Sequence, residues 1–311
     1  MFVDGCLFHA QVIPIQARIE VPLRIVSLLP SATETLFAIG AGGDLVGVTH
    51  ECDYPPEALR LPRLTASALA FADSSAAIDR HVRRALHAGS SLYTLNAELL
   101  EQLKPDLIVT QELCEVCAVS YAIVDRAARR LTSDPRVVSL EPSSLEDVYA
   151  NIMTLGELTG VQWKAREVVD ALRRREAAVR DYAAAEFAPR VLVLEWTDPP
   201  MGAGHWTPGL VEAAGGDPVL SNPGANSRRL SWDEITAADP DAIIVAPCGY
   251  GLPKTLEALR ELQARPEWMG LRAVREGRVH PVDGNAYVNR PGPRLVDTIE
   301  IFASFLHPEA A

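Results

Sequence analysis

The feature that most constrains the fold of this chain is a regular alternation of short apolar segments with helix-like segments. Four buried-strand patterns lie in the first half, at Ile25–Leu29, Leu45–Val48, Leu107–Val109 and Arg136–Leu140. A second series follows, with helix-like segments between strands predicted at Val191–Leu194, Ala242–Ala246 and Val279–Val282. Strands that alternate with helices form parallel sheets covered by helices, so the sequence predicts an α/β protein.

The first helix is expected directly after Pro30. Ser31 and Glu34 have the spacing of a capping box, in which each side chain bonds a backbone N–H at the start of a helix. Gly40 is placed to end this helix.

One stretch of the chain, residues 143–187, has no strand pattern. Apolar residues recur there at intervals of three and four from Ile152 to Leu172, and charged residues dominate the far end. This periodicity predicts a long helix, interrupted near Gly160, that joins two lobes. We therefore divide the chain into an N-terminal extension (1–23), an N-terminal α/β lobe (24–142), a bridging helix (143–187) and a C-terminal α/β lobe (188–311).

Composition and charge exclude several classes of function. The chain carries 29 Lys and Arg against 41 Asp and Glu, a net charge of −12, whereas nucleic-acid-binding proteins present basic surfaces. The sequence has no apolar segment as long as a membrane-spanning helix. The first 23 residues lack the basic start and continuous apolar core of a secretory signal, which predicts a cytoplasmic protein. The alternative to a cytoplasmic location is that the start codon is misassigned, in which case the protein is periplasmic or membrane-anchored.

The two halves share a pattern displaced by 135 residues. One helix is expected to begin after Asn96 and another after Ser231, and each has an acidic residue in its first turn, Glu98 and Asp233. Each helix is followed by Pro-Asp and a buried strand. Acidic residues in a first turn stabilise a helix whatever their function, but the repeat as a whole indicates two lobes of similar build.

Ligands of parallel sheets bind beyond the carboxyl ends of the strands, so the loops after the strands are candidate binding sites. In the first lobe these loops hold Pro30, Ser31, His50, Tyr54 and Gln111. In the second lobe they hold mostly aromatic and polar residues, namely Trp196, His205, Trp206, Asn285 and Tyr287. The sequence contains no phosphate-binding loop, complete dinucleotide fingerprint or nucleophile elbow, which favours a binding protein over an enzyme.

Five cysteines are an odd number and too few for a disulfide scaffold. Three of them lie on loops of the first lobe: Cys52, and Cys114 with Cys117 in a Cys-x-x-Cys sequence. Together with His50 or His205 they could ligate zinc or iron, which corresponds to a cytoplasmic metalloprotein or enzyme. A redox-active pair, or three small buried side chains, are the other two interpretations.

Four segments of the chain resemble the periplasmic-binding proteins of iron-siderophore and cobalamin ABC importers, and most of all the cobalamin-binding branch: Arg24–Gly40, Val46–Val48, Asp53–Pro56 and Leu103–Val109. The resemblance extends from about Arg24 to Leu306. It implies a class III substrate-binding-protein fold, in which two Rossmann-like lobes are joined by one long helix and a cleft between them holds the ligand. It implies no catalytic residues.

The resemblance also implies roles for individual residues. Positions that line the cleft of the family match Pro30, Ser31, Tyr54, Trp196, Asn285, Tyr287 and Arg290. Glu98 and Asp233 match the acidic residues that pair with arginines of an ABC permease dimer. Gln111 and Arg228 stand where cobalamin binders have aromatic residues, and we interpret Arg228 and Arg229 as a solvated pair.

The expected ligand is therefore cobalamin or a related corrinoid such as cobinamide. We expect a monomer that needs no cofactor, with zinc or iron at Cys52, Cys114 and Cys117 as the alternative stated above. A ferric siderophore or haem is the alternative ligand.

Overall fold

Two helix-covered β-sheets form the two lobes of the structure, a computed structural model that describes residues 22–67, 74–87, 92–111, 121–183 and 187–308. The strands are β1 (Ile25–Ser27), β2 (Leu45–Val48), β3 (Thr65–Ser67), β4 (Tyr93–Leu95), β5 (Leu107–Thr110), β6 (Arg136–Ser139), β7 (Arg190–Thr197), β8 (Pro200–Gly202), β9 (Gly204–His205), β10 (Asp217–Pro218), β11 (Asn222–Pro223), β12 (Arg228–Arg229), β13 (Ala242–Val245) and β14 (Val279–Pro281). The helices are α1 (Pro30–Ala38), α2 (Ser75–His87), α3 (Ala97–Leu103), α4 (Tyr121–Ala128), α5 (Leu145–Leu158), α6 (Gln162–Ala183), α7 (Thr207–Ala213), α8 (Trp232–Ala238), α9 (Leu252–Gln263), α10 (Pro266–Met269), α11 (Arg272–Arg275) and α12 (Leu295–Leu306).

The first lobe is built on a parallel sheet with the strand order β2-β1-β5-β6. The central strands β1 and β5 are fully buried, as expected when helices cover both faces of a parallel sheet. The four strands predicted for this lobe are present. Outside this sheet, β3 and β4 form a separate antiparallel pair, and α2 lies between them in the chain.

The second lobe is built on a mixed sheet with the order β12-β8-β7-β13-β14, and β10 also pairs with β7. β10, β7, β13 and β14 run parallel, and β8 returns antiparallel to β7. The α/β class and the three strands predicted for this lobe are confirmed. No helix in the described parts of the chain is both long and apolar enough to span a membrane.

The repeat between the two halves is present in the structure. The Asp106 carboxylate, after α3, accepts a hydrogen bond from the backbone N–H of Arg24 at 2.9 Å. The Asp241 carboxylate, after α8, accepts one from the N–H of Arg190 at 2.8 Å. The Arg24 side chain also donates to the carbonyl oxygen at the end of α3, at 2.9 Å, and the Arg190 side chain donates to the carbonyl oxygen at the end of α8, at 2.6 Å. The prediction of two lobes of similar build is confirmed at this level of detail.

The bridging segment is helical, as predicted, and consists of two helices. α5 ends at Leu158 and the 22-residue α6 begins at Gln162; Gly160, between them, has a φ of 74°, which glycine adopts without strain. The predicted interruption near Gly160 is therefore present. α5 packs against α1 of the first lobe, and α6 packs against α7 and α12 of the second. Arg175 of α6 fixes this contact by binding two carboxylates of α12.

The start of α1 differs from its prediction. Leu29 is the N-cap residue, Pro30 is the first helical residue, and no side chain caps the helix. The predicted capping box of Ser31 and Glu34 is therefore wrong. Glu34 is buried and binds arginines of the second lobe, so its carboxylate is engaged in a contact between lobes.

Candidate functional site

The two lobes meet along a line of polar and aromatic side chains, which we call the seam. The first lobe contributes Glu34, Asp53, Ser75, Ile78 and Asp79, and the second contributes Thr197, Arg229, Tyr250, Asn285, Arg290 and Arg294. Most of these residues follow the carboxyl ends of β1, β2, β7, β13 and β14 or lie at them. The seam therefore occupies the edge of the sheets where the sequence predicts a ligand cleft.

Arg290 lies at the centre of the seam and is only 6% exposed. Its guanidinium donates to the carboxylates of Asp53 and Glu34, at 3.2 Å each. It also donates to the side-chain oxygen of Asn285 at 3.1 Å and to the carbonyl oxygen of Glu51 at 3.0 Å. One arginine of the second lobe thus holds three residues of the first lobe.

The charges of this cluster stabilise one another. Burial alone would raise the pKa of Asp53, but the hydrogen bonds and charge of Arg290 outweigh it and hold that pKa below its usual value. Burial alone would lower the pKa of Arg290, and the carboxylates of Asp53 and Glu34 outweigh it and raise that pKa. Both groups are therefore charged at neutral pH.

Arg294 completes the cluster and brings two predicted aromatic residues into it. Its Nε donates to the buried carboxylate of Glu34 at 2.8 Å. The guanidinium carbon lies 4.2 Å from the ring centre of Tyr54 and 5.6 Å from that of Tyr287. These are cation–π distances, so the Arg294 guanidinium lies against both rings.

The other end of the seam is formed by α2 against the second lobe. The Ser75 hydroxyl lies 2.8 Å from Oγ1 of Thr197 and 3.2 Å from the hydroxyl of Tyr250. Ile78 packs against the cluster formed by Trp196, Tyr250 and Ala258, in which the centres of the two rings are 5.2 Å apart. Asp79 forms an ion pair with Arg229. Trp196, predicted to contact ligand, is buried by this packing and is 8% exposed.

His205 and Trp206 lie behind the seam and contact their own lobe. Their rings stack with centres 5.5 Å apart, and the Trp206 indole N–H donates to the carbonyl oxygen of Val288 at 2.9 Å. Burial lowers the pKa of His205, so this ring is neutral at pH 7. The carboxyl of Glu195 beside them accepts a hydrogen bond from Thr207 at 2.8 Å, and burial raises its pKa. Together these contacts hold the loops of the second lobe in place.

The remaining predicted residues of the first lobe are buried or half-buried. Pro30, Ser31 and Gln111 are buried. The Nδ1 atom of His50 lies 2.7 Å from the hydroxyl of Thr65, and burial, with the nearby charge of Arg63, lowers the pKa of His50.

Cys52 gives no support to a shared metal site. Its side chain is fully buried, its sulfur lies 3.1 Å from the hydroxyl of Thr33, and burial raises its pKa to about 11. Without a metal ion the thiol is therefore protonated at neutral pH. Cys114 and Cys117 lie outside the described residues. Among the residues that are described, no three His, Cys, Asp or Glu side chains are grouped so that they could hold a metal ion.

Sequence reasoning missed several residues of the seam. Glu34 was assigned to a helix cap, and Arg229 was interpreted as solvated although it pairs with Asp79. Asp53 and Tyr250 stand in loops that follow strands, and that position is the signal that could have identified them. Arg294 and Asp79 of α2 do not stand in a loop directly after a strand of either main sheet, and their partners are distant in the chain, so no local signal identifies them.

Comparisons with known proteins agree with this architecture. The sequence profile of a family described as "Periplasmic binding protein" matches residues 25–286. An ABC transporter substrate-binding lipoprotein of Bacillus subtilis (strain 168) is 25% identical over 297 residues, which cover 93% of this chain and 81% of that protein. A vitamin B12-binding protein of Vibrio cholerae serotype O1 is 23% identical over 294 residues, 91% of this chain and 88% of that one.

A solved structure has the same fold. The periplasmic haem-binding protein of Pseudomonas aeruginosa superimposes with a TM-score of 0.71 at 24% identity, covering 94% of this chain and 95% of that one. At this identity the similarity establishes the fold alone.

Proposed function

Because the chain belongs to the periplasmic binding protein family, which its match over residues 25–286 establishes, we propose that it is the substrate-binding protein of an ABC importer. In this proposal it is not an enzyme, and it holds a corrinoid such as cobalamin or cobinamide between its two lobes. The names of the Bacillus and Vibrio relatives support the transport role and the corrinoid respectively.

The observation that carries the choice of ligand is the pairing of charges along the seam. Two seam arginines that do not contact α2 are already bound to carboxylates: Arg290 to Asp53 and Glu34, and Arg294 to Glu34. An anionic siderophore, or the propionates of haem, must displace these carboxylates to gain a cationic partner. A corrinoid, whose peripheral side chains are amides, needs hydrogen bonds and no free cation. The seam charges therefore favour the corrinoid over both alternatives.

The residues around the seam suit such a ligand. In this proposal Trp196, Trp206, Tyr54 and Tyr287 supply aromatic surface for its flat faces once the seam opens, and Ser31, Asn285 and Arg290 supply polar groups for its edges. His50, Gln111 and His205 are proposed as further contacts. Trp196, Ser31, Gln111 and Arg290 are buried, so the proposal requires the lobes or α2 to move before the ligand enters.

Glu98 and Asp233 are proposed to dock an ABC permease dimer. Both side chains are exposed in the first turns of α3 and α8, the helices related by the internal repeat. Equivalent acidic groups on two similar lobes suit a permease that presents two equivalent arginine-containing surfaces. The neighbouring Glu234 is a poorer candidate, because it closes the capping box of α8 and binds Arg228.

The proposal includes a location outside the cytoplasmic membrane. The lipoprotein relative favours this location over the cytoplasmic one that the first 23 residues predict. Cell fractionation with an antibody against the chain tests it, and recovery in the soluble cytoplasmic fraction would contradict it.

A spectroscopic titration of the purified protein tests the ligand. Cyanocobalamin, dicyanocobinamide, haemin and a ferric hydroxamate siderophore are added separately, and changes in the ligand's visible spectrum and in protein fluorescence are followed. We expect saturable binding of one corrinoid per chain and weaker binding of haemin and the siderophore. Saturable binding of haemin with no response to either corrinoid would assign the site to haem instead.

A further inference from the structure

α2 covers the part of the second lobe that the proposed function assigns to the ligand. Ile78 and Asp79 follow Ser75 by three and four residues, so the three residues share one face of the helix. This face contacts Thr197, Tyr250 and Arg229 of the second lobe. Trp196 and Thr197 lie at the carboxyl end of β7, and Tyr250 follows β13, which is the edge where parallel sheets bind ligands.

We propose that α2 acts as an internal occupant of this ligand-binding surface and must leave it when the ligand binds. The inference rests on the proposed function for the identity of the ligand, but the movement of α2 can be tested without one. While α2 is in place, the ligand and the helix compete for the same surface, and this competition sets the affinity of the protein for its ligand.

The contacts of this face of α2 are those that a polar, partly aromatic ligand would replace. The Ser75 hydroxyl is within hydrogen-bond distance of Thr197 and Tyr250, two groups that are otherwise buried. Buried hydroxyls need a partner, so a ligand amide must take this position when Ser75 moves away. Ile78 packs against the cluster that contains the Trp196–Tyr250 pair, and a flat ring system can pack there instead.

The outer face of α2 is suited to exposure. Arg80, His81, Arg83 and Arg84 are exposed or half-exposed there, and Arg83 binds Asp79 at 2.8 Å within the helix. When Asp79 leaves Arg229, its carboxylate keeps a cationic partner on its own helix. The ion pair between the lobes can therefore open without leaving Asp79 unpaired, which lowers the free-energy cost of movement.

The first experiment measures movement of α2 without any ligand. A Thr197→Cys substitution places a thiol under α2, and its alkylation by N-ethylmaleimide is followed by peptide mass spectrometry, which separates it from the native cysteines. Adding Asp79→Ala is expected to speed alkylation at least about tenfold, because it removes the contact with Arg229. Arg84→Ala, an exposed change on the same helix, is the control and is expected to have no effect. Equal rates in the Asp79→Ala and control proteins would overturn the proposal.

The second experiment fixes α2 in place. A Ser75→Cys, Thr197→Cys protein is oxidised to form a disulfide between α2 and the second lobe, with each single variant as control. Affinity for cyanocobalamin is expected to fall at least about tenfold on oxidation and to recover on reduction, since only the open population binds. Equal affinity of the oxidised and reduced proteins would overturn the proposal.

The two experiments separate this inference from the proposed function. Suppose that neither the unmodified protein nor any variant binds cyanocobalamin, dicyanocobinamide or haemin, while Asp79→Ala still speeds alkylation of the Thr197→Cys thiol. The movement of α2 then stands and the corrinoid assignment fails.

Discussion

At the scale of single residues, the buried carboxylate of Glu34 determines how the lobes meet. It binds Arg290 and Arg294, which lie 256 and 260 residues further along the chain. Local sequence suggests a helix cap for a glutamate three residues after a serine, and it carries no information about so distant a partner. The helix-cap role that local sequence suggests is therefore wrong, and the role of Glu34 between the lobes required the tertiary structure.

Glu34→Ala is predicted to destabilise the protein strongly. The substitution leaves Arg290 buried with one carboxylate partner fewer, and breaking a buried ion pair costs about 3–5 kcal/mol. Urea unfolding followed by circular dichroism measures the change in the free energy of unfolding. Glu146→Ala is the control, because it removes the exposed pair with Arg173 and is expected to cost at most about 1 kcal/mol. Similar losses in the two variants would contradict the role given to Glu34.

His50 predicts a pH dependence of stability. Its pKa is lowered from 6.5 in the folded protein, so the unfolded chain binds a proton more readily near that pH. The contribution of His50 is therefore full above about pH 6.5 and is lost as the pH falls through the folded pKa. Thermal unfolding between pH 5 and pH 8 measures this slope. A His50→Gln variant should show a shallower loss on acidification, and an unchanged slope would exclude His50 as a contributor.

At the scale of elements, the repeat of a short helix, Pro-Asp and a buried strand was predictable, because each half carries its own local signals. The structure adds the carboxylate bonds from Asp106 to Arg24 and from Asp241 to Arg190, which tie each repeat to the first strand of its lobe. The same local reasoning predicted the interruption near Gly160, but it could not predict that α5 and α6 pack against each other. The packing of α2 against the second lobe could not be predicted, because its partners Thr197, Arg229 and Tyr250 are distant in the chain.

Charge reversal at the two repeat helices tests docking. Glu98→Lys with Asp233→Lys is expected to reduce corrinoid uptake by cells about tenfold or more, because each lysine would face an arginine of the permease. Corrinoid binding by the purified variant should remain unchanged, since both residues are exposed and lie off the seam. Asp170→Lys, an exposed reversal on α6, is the control. Normal uptake by the double variant would show that docking uses another surface.

At the scale of the whole molecule, the seam and the helix pair determine what movement is available. α5 is attached to the first lobe and α6 to the second, and the two helices pack against each other, so this packing, the turn at Gly160 and the contacts along the seam connect the lobes. The two α/β lobes were predictable because strand and helix patterns are local features of the sequence. The cleft was predictable because ligands of parallel sheets generally bind beyond the carboxyl ends of the strands. The sequence could not predict that the arginines facing the cleft are neutralised by carboxylates of the other lobe, and this pairing underlies the choice of a corrinoid.

Hydrogen–deuterium exchange with and without saturating cyanocobalamin tests the central claim most directly, because it locates the ligand on both lobes at once. We predict slower exchange in the loops 50–54 and 283–290, one from each lobe, together with faster exchange in α2. Unchanged exchange in both loops, or protection confined to one lobe, would contradict a corrinoid held between the lobes.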